Sequence, residues 1–204
     1  MSFWFVLSLL GMIAVVPIHF VSVEHKKLEQ KYGPEKGKRI GSILGMISGW
    51  GIFIFFFGIW VSPQPQFYIP FLQHIAIYYT PLPWLYIPII HFLIGITFVI
   101  PGAWLGIKGV SDIGLEASET HRPEEIISTG IYSRMRHPQY TGAMLSHIGM
   151  TFLFSAFYSL LVTPLVIIVN YILCWKEEKE LLREFGEEYE SYRKSVPMFF
   201  PIRK

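Results

Sequence analysis

The chain has 204 residues, of which 52% are hydrophobic and only 16% charged, against about a quarter charged in soluble domains. A net charge of +2 is too small to argue for a nucleic-acid partner, and a single cysteine, Cys174, excludes an intrachain disulfide. The charges fall in blocks separated by apolar stretches of about 20 residues, the length that crosses a bilayer, so the composition predicts an all-α integral membrane protein forming one bundle.

The first span is expected from about Ser2 to Val23. It lacks the basic start and small-residue cleavage site of a secretory signal, and reads as a mature spanning helix. The segment after it carries Lys26, Lys27, Lys31, Lys36, Lys38 and Arg39. A short connection this basic belongs on the cytoplasmic side, which puts the N-terminus outside. The second span is expected over Ile40 to Val61, with Gly41, Gly45 and Gly49 on one face where another backbone can approach closely.

Ser62 to Pro83 has no Lys, Arg, Asp or Glu, and five prolines interrupt it. It reads as an interfacial or re-entrant segment on the outer side, with aromatic anchors. His74 and His91 read as structural. A third span over Trp84 to Gly106 returns the chain to the cytoplasm, where the polar stretch Lys108 to Arg136 follows. Residues 142–175 are apolar throughout. As one helix they would be about 50 Å long, so two shorter helices joined near Ser155 to Ser159 are expected. The count is then about five spans: three in residues 1–106, and a helical hairpin in the C-terminal half, residues 107–204. Beyond it, Leu181, Leu182, Phe185, Tyr189, Tyr192 and Val196 recur at helical spacing, which predicts an amphipathic helix on the cytoplasmic surface with a weak point at Gly186.

The hairpin brings Arg136, His137 and Pro138 at the start of one helix to the same rim as Glu177 and Glu178 at the end of the next. Arg, His, Tyr and Glu around a membrane-level cleft could hold a zwitterionic ligand. Each element also has a structural reading: Pro138 as a helix first-turn residue, Arg134 and Arg136 as topology markers, Tyr132 and Tyr140 as interfacial anchors. No phosphate-binding glycine loop occurs. His137 and His147 lie ten apart without a nearby third ligand, so no metal site is expected from the spacing.

The stretch STGIYSRMRHPQYTG, followed at a distance by EEKELLREFGEEYESYRKSVP, resembles the isoprenylcysteine carboxyl methyltransferase family. The shared pattern is G-x-Y-x-x-x-R-H-P-x-Y-x-G, then E-E, then F-G-x-x-Y-x-x-Y, over about Leu115 to Pro201. The resemblance implies an S-adenosylmethionine-dependent O-methyltransferase with S-adenosylhomocysteine as product. It implies cofactor contacts at Tyr132, at His137, Pro138, Gln139 and Tyr140, and at Glu177 and Glu178. His121 and a strand-like Ile126 and Ile127 are the further correspondences. Arg136 and Glu177 are then the candidate catalytic residues, acting on a lipophilic or lipidated substrate that enters from the bilayer. Eukaryotic members carry a substrate-orienting arginine one turn before the glutamate; here that position is Leu173. Two other readings compete. Membrane lipid reductases that use NADPH share R-H-P-x-Y-x-G, but many have an acid after the glycine, where this chain has Ala143. A scaffold or channel without enzymatic activity would bind no cofactor.

Overall fold

The computed structural model describes residues 1–70, 76–78, 86–121 and 125–200. Its elements are α1 (Phe3–Ser22), α2 (His25–Tyr32), α3 (Pro34–Val61), β1 (Ala76–Tyr78), β2 (Tyr86–Pro88), α4 (Ile89–Ile113), α5 (Leu115–Thr120), a 3-10 turn (Gly130–Ser133), α6 (Pro138–Leu153), α7 (Phe157–Phe185) and α8 (Glu187–Ser195). The protein is an all-α integral membrane protein. The small exception is an antiparallel pairing of β1 with β2, Ile77 opposite Ile87.

Among the described residues, four helices are long and apolar enough to cross a membrane: α1, α3, α4 and α7. The expected fifth, α6, has 16 residues. It is about 24 Å long, short of the roughly 30 Å hydrocarbon core. The helices also extend past their apolar stretches. Most of the basic connection after α1 is helical, as α2 and the first turns of α3, and α4 continues through Lys108 and Asp112, which pair at 2.6 Å one turn apart. Pro34 and Pro138 open α3 and α6, where a missing N–H is harmless.

Two helix pairs, α1 with α3 and α4 with α6, flank α7. Phe5 and Met12 of α1, Phe56 and Ile59 of α3, and Val166, Val169 and Leu173 of α7 form the largest buried apolar cluster. The α6–α7 turn is held from outside: Phe67 N–H donates to Ser155 O at 2.9 Å, and Phe157 N–H to Pro65 O at 3.0 Å. Pro65 to Phe67 thus dock on this turn; much of the rest of the segment expected to be interfacial or re-entrant, with His74, lies outside the described residues. His91 is buried beside Phe67, with Nδ1 2.8 Å from Ser155 Oγ.

The tail differs from the expected separate surface helix. α7 continues without a break through Phe185. Gly186, at φ +58, then turns the chain into α8, a backbone state that costs glycine little. Tyr189 and Val196 are buried against the body.

α4 and α6 pack backbone against backbone. A Cβ on Gly142 would sit 2.5 Å from Gly102 O and 2.8 Å from Gly106 N, whereas a Cβ on Gly106 would meet nothing within 4 Å. Gly142→Ala is therefore expected to destabilise the detergent-solubilised protein by about 1–3 kcal/mol, read as a lowered melting temperature. Gly106→Ala should leave it unchanged or raise it.

Candidate active site

The site forms where α7 leaves its apolar stretch. Glu177 and Glu178 are consecutive there and so face different neighbours. Glu178 is buried and accepts from Arg136 Nε at 2.7 Å, with His137 Nε2 3.0 Å from the same oxygen. Glu177 accepts a hydrogen bond from the Tyr140 hydroxyl. His137 Nδ1 lies 3.6 Å from Glu177 Oε2, so this one imidazole bridges the two carboxylates. It caps α6 with a non-helical backbone (φ −126, ψ 63), which turns its ring toward α7.

Arg136 also holds the tail. Its Nη1 donates to the carbonyls of Arg193 and Val196. The backbone N–H groups of Arg136 and His137 donate to Pro197 O at 2.9 Å and Met198 O at 3.0 Å. Tyr132 is set from three sides: its hydroxyl donates to Gly109 O at 3.3 Å and accepts from Gln139 Nε2 at 3.2 Å, while its carbonyl accepts from Tyr192 at 2.7 Å. Burial pushes the phenols of Tyr132, Tyr189 and Tyr192 above the ordinary tyrosine range, so all three stay neutral. Gln139 is oriented by Ser118, which donates to its Oε1 at 2.8 Å. The 3-10 turn carrying Tyr132 is pinned by Asp112, which accepts from the Ile131 N–H at 2.8 Å.

These residues surround a cavity of about 550 Å³, a size suited to a nucleotide-like small molecule. Its lining includes His121, Ile126, Ile127, Tyr132, Arg136, His137, Pro138, Gln139, Tyr140 and Glu177. Glu178 stands behind the wall, joined to it through Arg136 and His137. Ile126 and Ile127 are in no regular element; Ile127 packs with the cluster of Leu105, Ile131, Tyr132 and Met135. Leu173 is fully buried in the apolar core among α1, α3 and α7, away from the cavity lining.

The structure adds one histidine that sequence reasoning passed over. His19 of α1 is fully buried, with Nε2 3.2 Å from Glu177 Oε1. His121 Nε2 lies 3.9 Å from that oxygen. His121 follows α5 with a left-handed backbone (φ 54), and its carbonyl lies 3.0 Å from His25 Nε2. Burial, and then the adjoining His19 ring, hold the His121 imidazole at about 4, against the opposite pull of Glu177, so it is neutral. The available signal was His19 itself, an ionisable residue within an apolar span. Gly45 belongs here too: a Cβ there would lie 2.9 Å from Thr120 O, so the glycine face of α3 admits the segment carrying His121 rather than another span.

Residues 90–188 match the family described as Phospholipid methyltransferase. Among curated relatives, Protein-S-isoprenylcysteine O-methyltransferase of Schizosaccharomyces pombe is 33% identical over 102 residues, 46% of this chain and 40% of that protein. The Mus musculus protein of that name is 32% identical over 97 residues, 44% of this chain and 31% of its own. Protein-S-isoprenylcysteine O-methyltransferase B of Arabidopsis thaliana is 29% identical over 123 residues, 53% and 58% respectively. The chain thus covers less than two thirds of the length of each of these relatives.

Removing Arg136 would strand Glu178 and release the tail. The pair is buried, with both side chains under 10% exposed, so Arg136→Ala is expected to destabilise by about 3–5 kcal/mol. The double variant Arg136→Ala/Glu178→Ala should lose less than the sum of the single changes, measured by unfolding in detergent. Over residues 90–188 the chain carries the sequence pattern of the phospholipid methyltransferase family, and its relatives there are isoprenylcysteine O-methyltransferases.

Proposed function

We propose that this protein transfers the methyl group of S-adenosylmethionine to a lipophilic acceptor at the cytoplasmic face of the membrane. The observation that carries this reading is the convergence of Tyr132, His137, Gln139, Tyr140 and Glu177 on one cavity. Three separated segments supply them, in the part of the chain that resembles methyltransferases. The donor set suits a zwitterionic sulfonium: a carboxylate for a cationic group, phenols for the sulfonium or adenine, and an amide for polar edges. When bound, S-adenosylmethionine supplies an electrophilic methyl group.

The chain's own residues then bind and orient. Glu177 is held by Tyr140 and offers its charge to the ligand's ammonium or ribose hydroxyls. Tyr132 and Gln139 form one wall in fixed rotamers. Arg136 acts through Glu178 and the tail, and we assign it a positioning role rather than direct contact. The acceptor is best read as a carboxylate. That group is ionised near neutral pH, its reference pKa being about 3.5, so the protein needs only to align the reacting atoms and exclude water. Its entry is from the bilayer beside α3, where Trp50 and Phe53 line the cavity and are also more than half exposed on the outer surface of the bundle. The basic residues of α2 and early α3 support a cytoplasmic rim and an N-terminus outside. With Leu173 in the core, the acceptor is not oriented by a charge at that position, and a prenylcysteine is not required.

Glu177→Gln keeps the shape and removes the charge. Loss of a charge-assisted hydrogen bond is worth about 1.5–3 kcal/mol, so S-adenosylhomocysteine affinity in calorimetry is expected to fall at least about tenfold. Unchanged affinity, or stabilisation of the wild type by NADPH but not by S-adenosylhomocysteine, would overturn the proposal.

A further inference from the structure

Three groups that can bind a metal meet at the cavity floor: His19 from α1, His121 after α5 and Glu177 of α7. His19 Nε2 is 3.2 Å and His121 Nε2 3.9 Å from the same oxygen, Glu177 Oε1. The two imidazoles stand edge to face with centroids 4.6 Å apart, and one ligand atom from each residue lies within 4.8 Å of the others. Ligands about 2.0–2.1 Å from a tetrahedral cation are roughly 3.3–3.5 Å from one another. Small rotations of the rings would therefore complete the set.

The polar accounting favours a cation over a hydrogen-bond network. Nδ1 of His19 and Nδ1 of His121 are buried without a hydrogen-bond partner, and Nε2 of His19 has only Glu177 Oε1, at 3.2 Å. Buried polar atoms of native proteins are normally satisfied. Here two that are not satisfied belong to imidazoles that meet at one half-buried carboxylate. The cluster is also held in place. The Tyr140 hydroxyl fixes Glu177, as outer partners of metal ligands do. His121 is aimed by its left-handed backbone, by the contact of His25 with its carbonyl, and by the close approach at Gly45.

We propose that His19, His121 and Glu177 form a site for one divalent cation of the zinc type, with a fourth position facing the cavity. Two imidazoles and one carboxylate suit zinc, whereas magnesium and calcium favour oxygen ligands. His121 and Glu177 both line the cavity, so a cation held between them is accessible from it. Glu177 would ligate through Oε1, leaving Oε2, on the His137 side, for a second ligand. The site rests on this geometry and not on the methyl-transfer reading, although the two share Glu177.

The test uses the full chain in detergent, stripped of metal and free of nucleotide, with cobalt(II) as the spectroscopic probe. One cobalt per chain is expected, with the strong visible bands of four- or five-coordination, displaced by zinc. His19→Ala and His121→Ala should each weaken binding at least about tenfold, the minimum seen even for loss of outer-shell partners. His147→Ala should not, because that buried histidine is engaged elsewhere by Trp60 and Thr163. If His19→Ala does not fold, His19→Gln takes its place. The bands of the hydrated ion at saturating cobalt, or an affinity unchanged in the His19 and His121 variants, would overturn the site. S-adenosylhomocysteine binding is measured separately on the same stripped protein. Its retention without cobalt binding sinks the metal site alone; cobalt binding without it sinks the methyl-transfer reading alone.

Discussion

Two carboxylates at the C-terminal end of α7, Glu178 buried and Glu177 half-buried, set the requirement that the surrounding structure meets. A charge taken out of water costs several kcal/mol unless it is paired. Consecutive helical residues point about 100° apart, so Glu177 and Glu178 cannot share one partner set. Glu178 takes Arg136, and Glu177 takes Tyr140 and the ring of His19, while His137 stands between them. Satisfying these two groups is what brings α1, the segment after α5 and the start of α6 to one place.

The same requirement explains the tail. Arg136 reaches Glu178 through Nε and still has donors to satisfy, and the carbonyls of Arg193 and Val196 satisfy them. That is possible only because Gly186 turns α8 back onto the body. Once there, Tyr192 bonds the carbonyl of Tyr132, so the last helix braces a cavity wall. Of the recurring apolar positions in the tail, Leu181, Tyr189 and Tyr192 line the cavity and Val196 is buried beside it.

Much of this was legible in the sequence, and what was not has a common cause. Composition and run length located the apolar helices, and the hairpin argument paired Arg136 and His137 with the two glutamates across some forty residues. Periodicity cannot say that a polar helix end continues a span, so α4 and α7 both run further than their apolar stretches, and α6 is shorter than a full crossing. Local spacing also cannot reveal ligands contributed by distant helices. His137 and His147 drew attention because they are near in sequence; His19 and His121, far apart, are the pair whose rings touch.

The family match spans residues 90–188, and the site does not stop there. His19, His25, Gly45, Trp50 and Phe53 all come from earlier in the chain, and each either shapes the cavity or positions something that does. The matched half carries the residues expected to hold the methyl donor. The half outside the match carries the lipid-facing wall and the buried histidine beside Glu177. Leu173 follows the same division: it packs against Phe5 and Met12 of α1 and Phe56 and Ile59 of α3, so its identity is coupled to the N-terminal helices. A charged side chain there would need a buried partner that this apolar cluster does not provide. On the proposed reading, acceptor choice depends on how the two halves pack, because Leu173 of the matched half is set by α1 and α3.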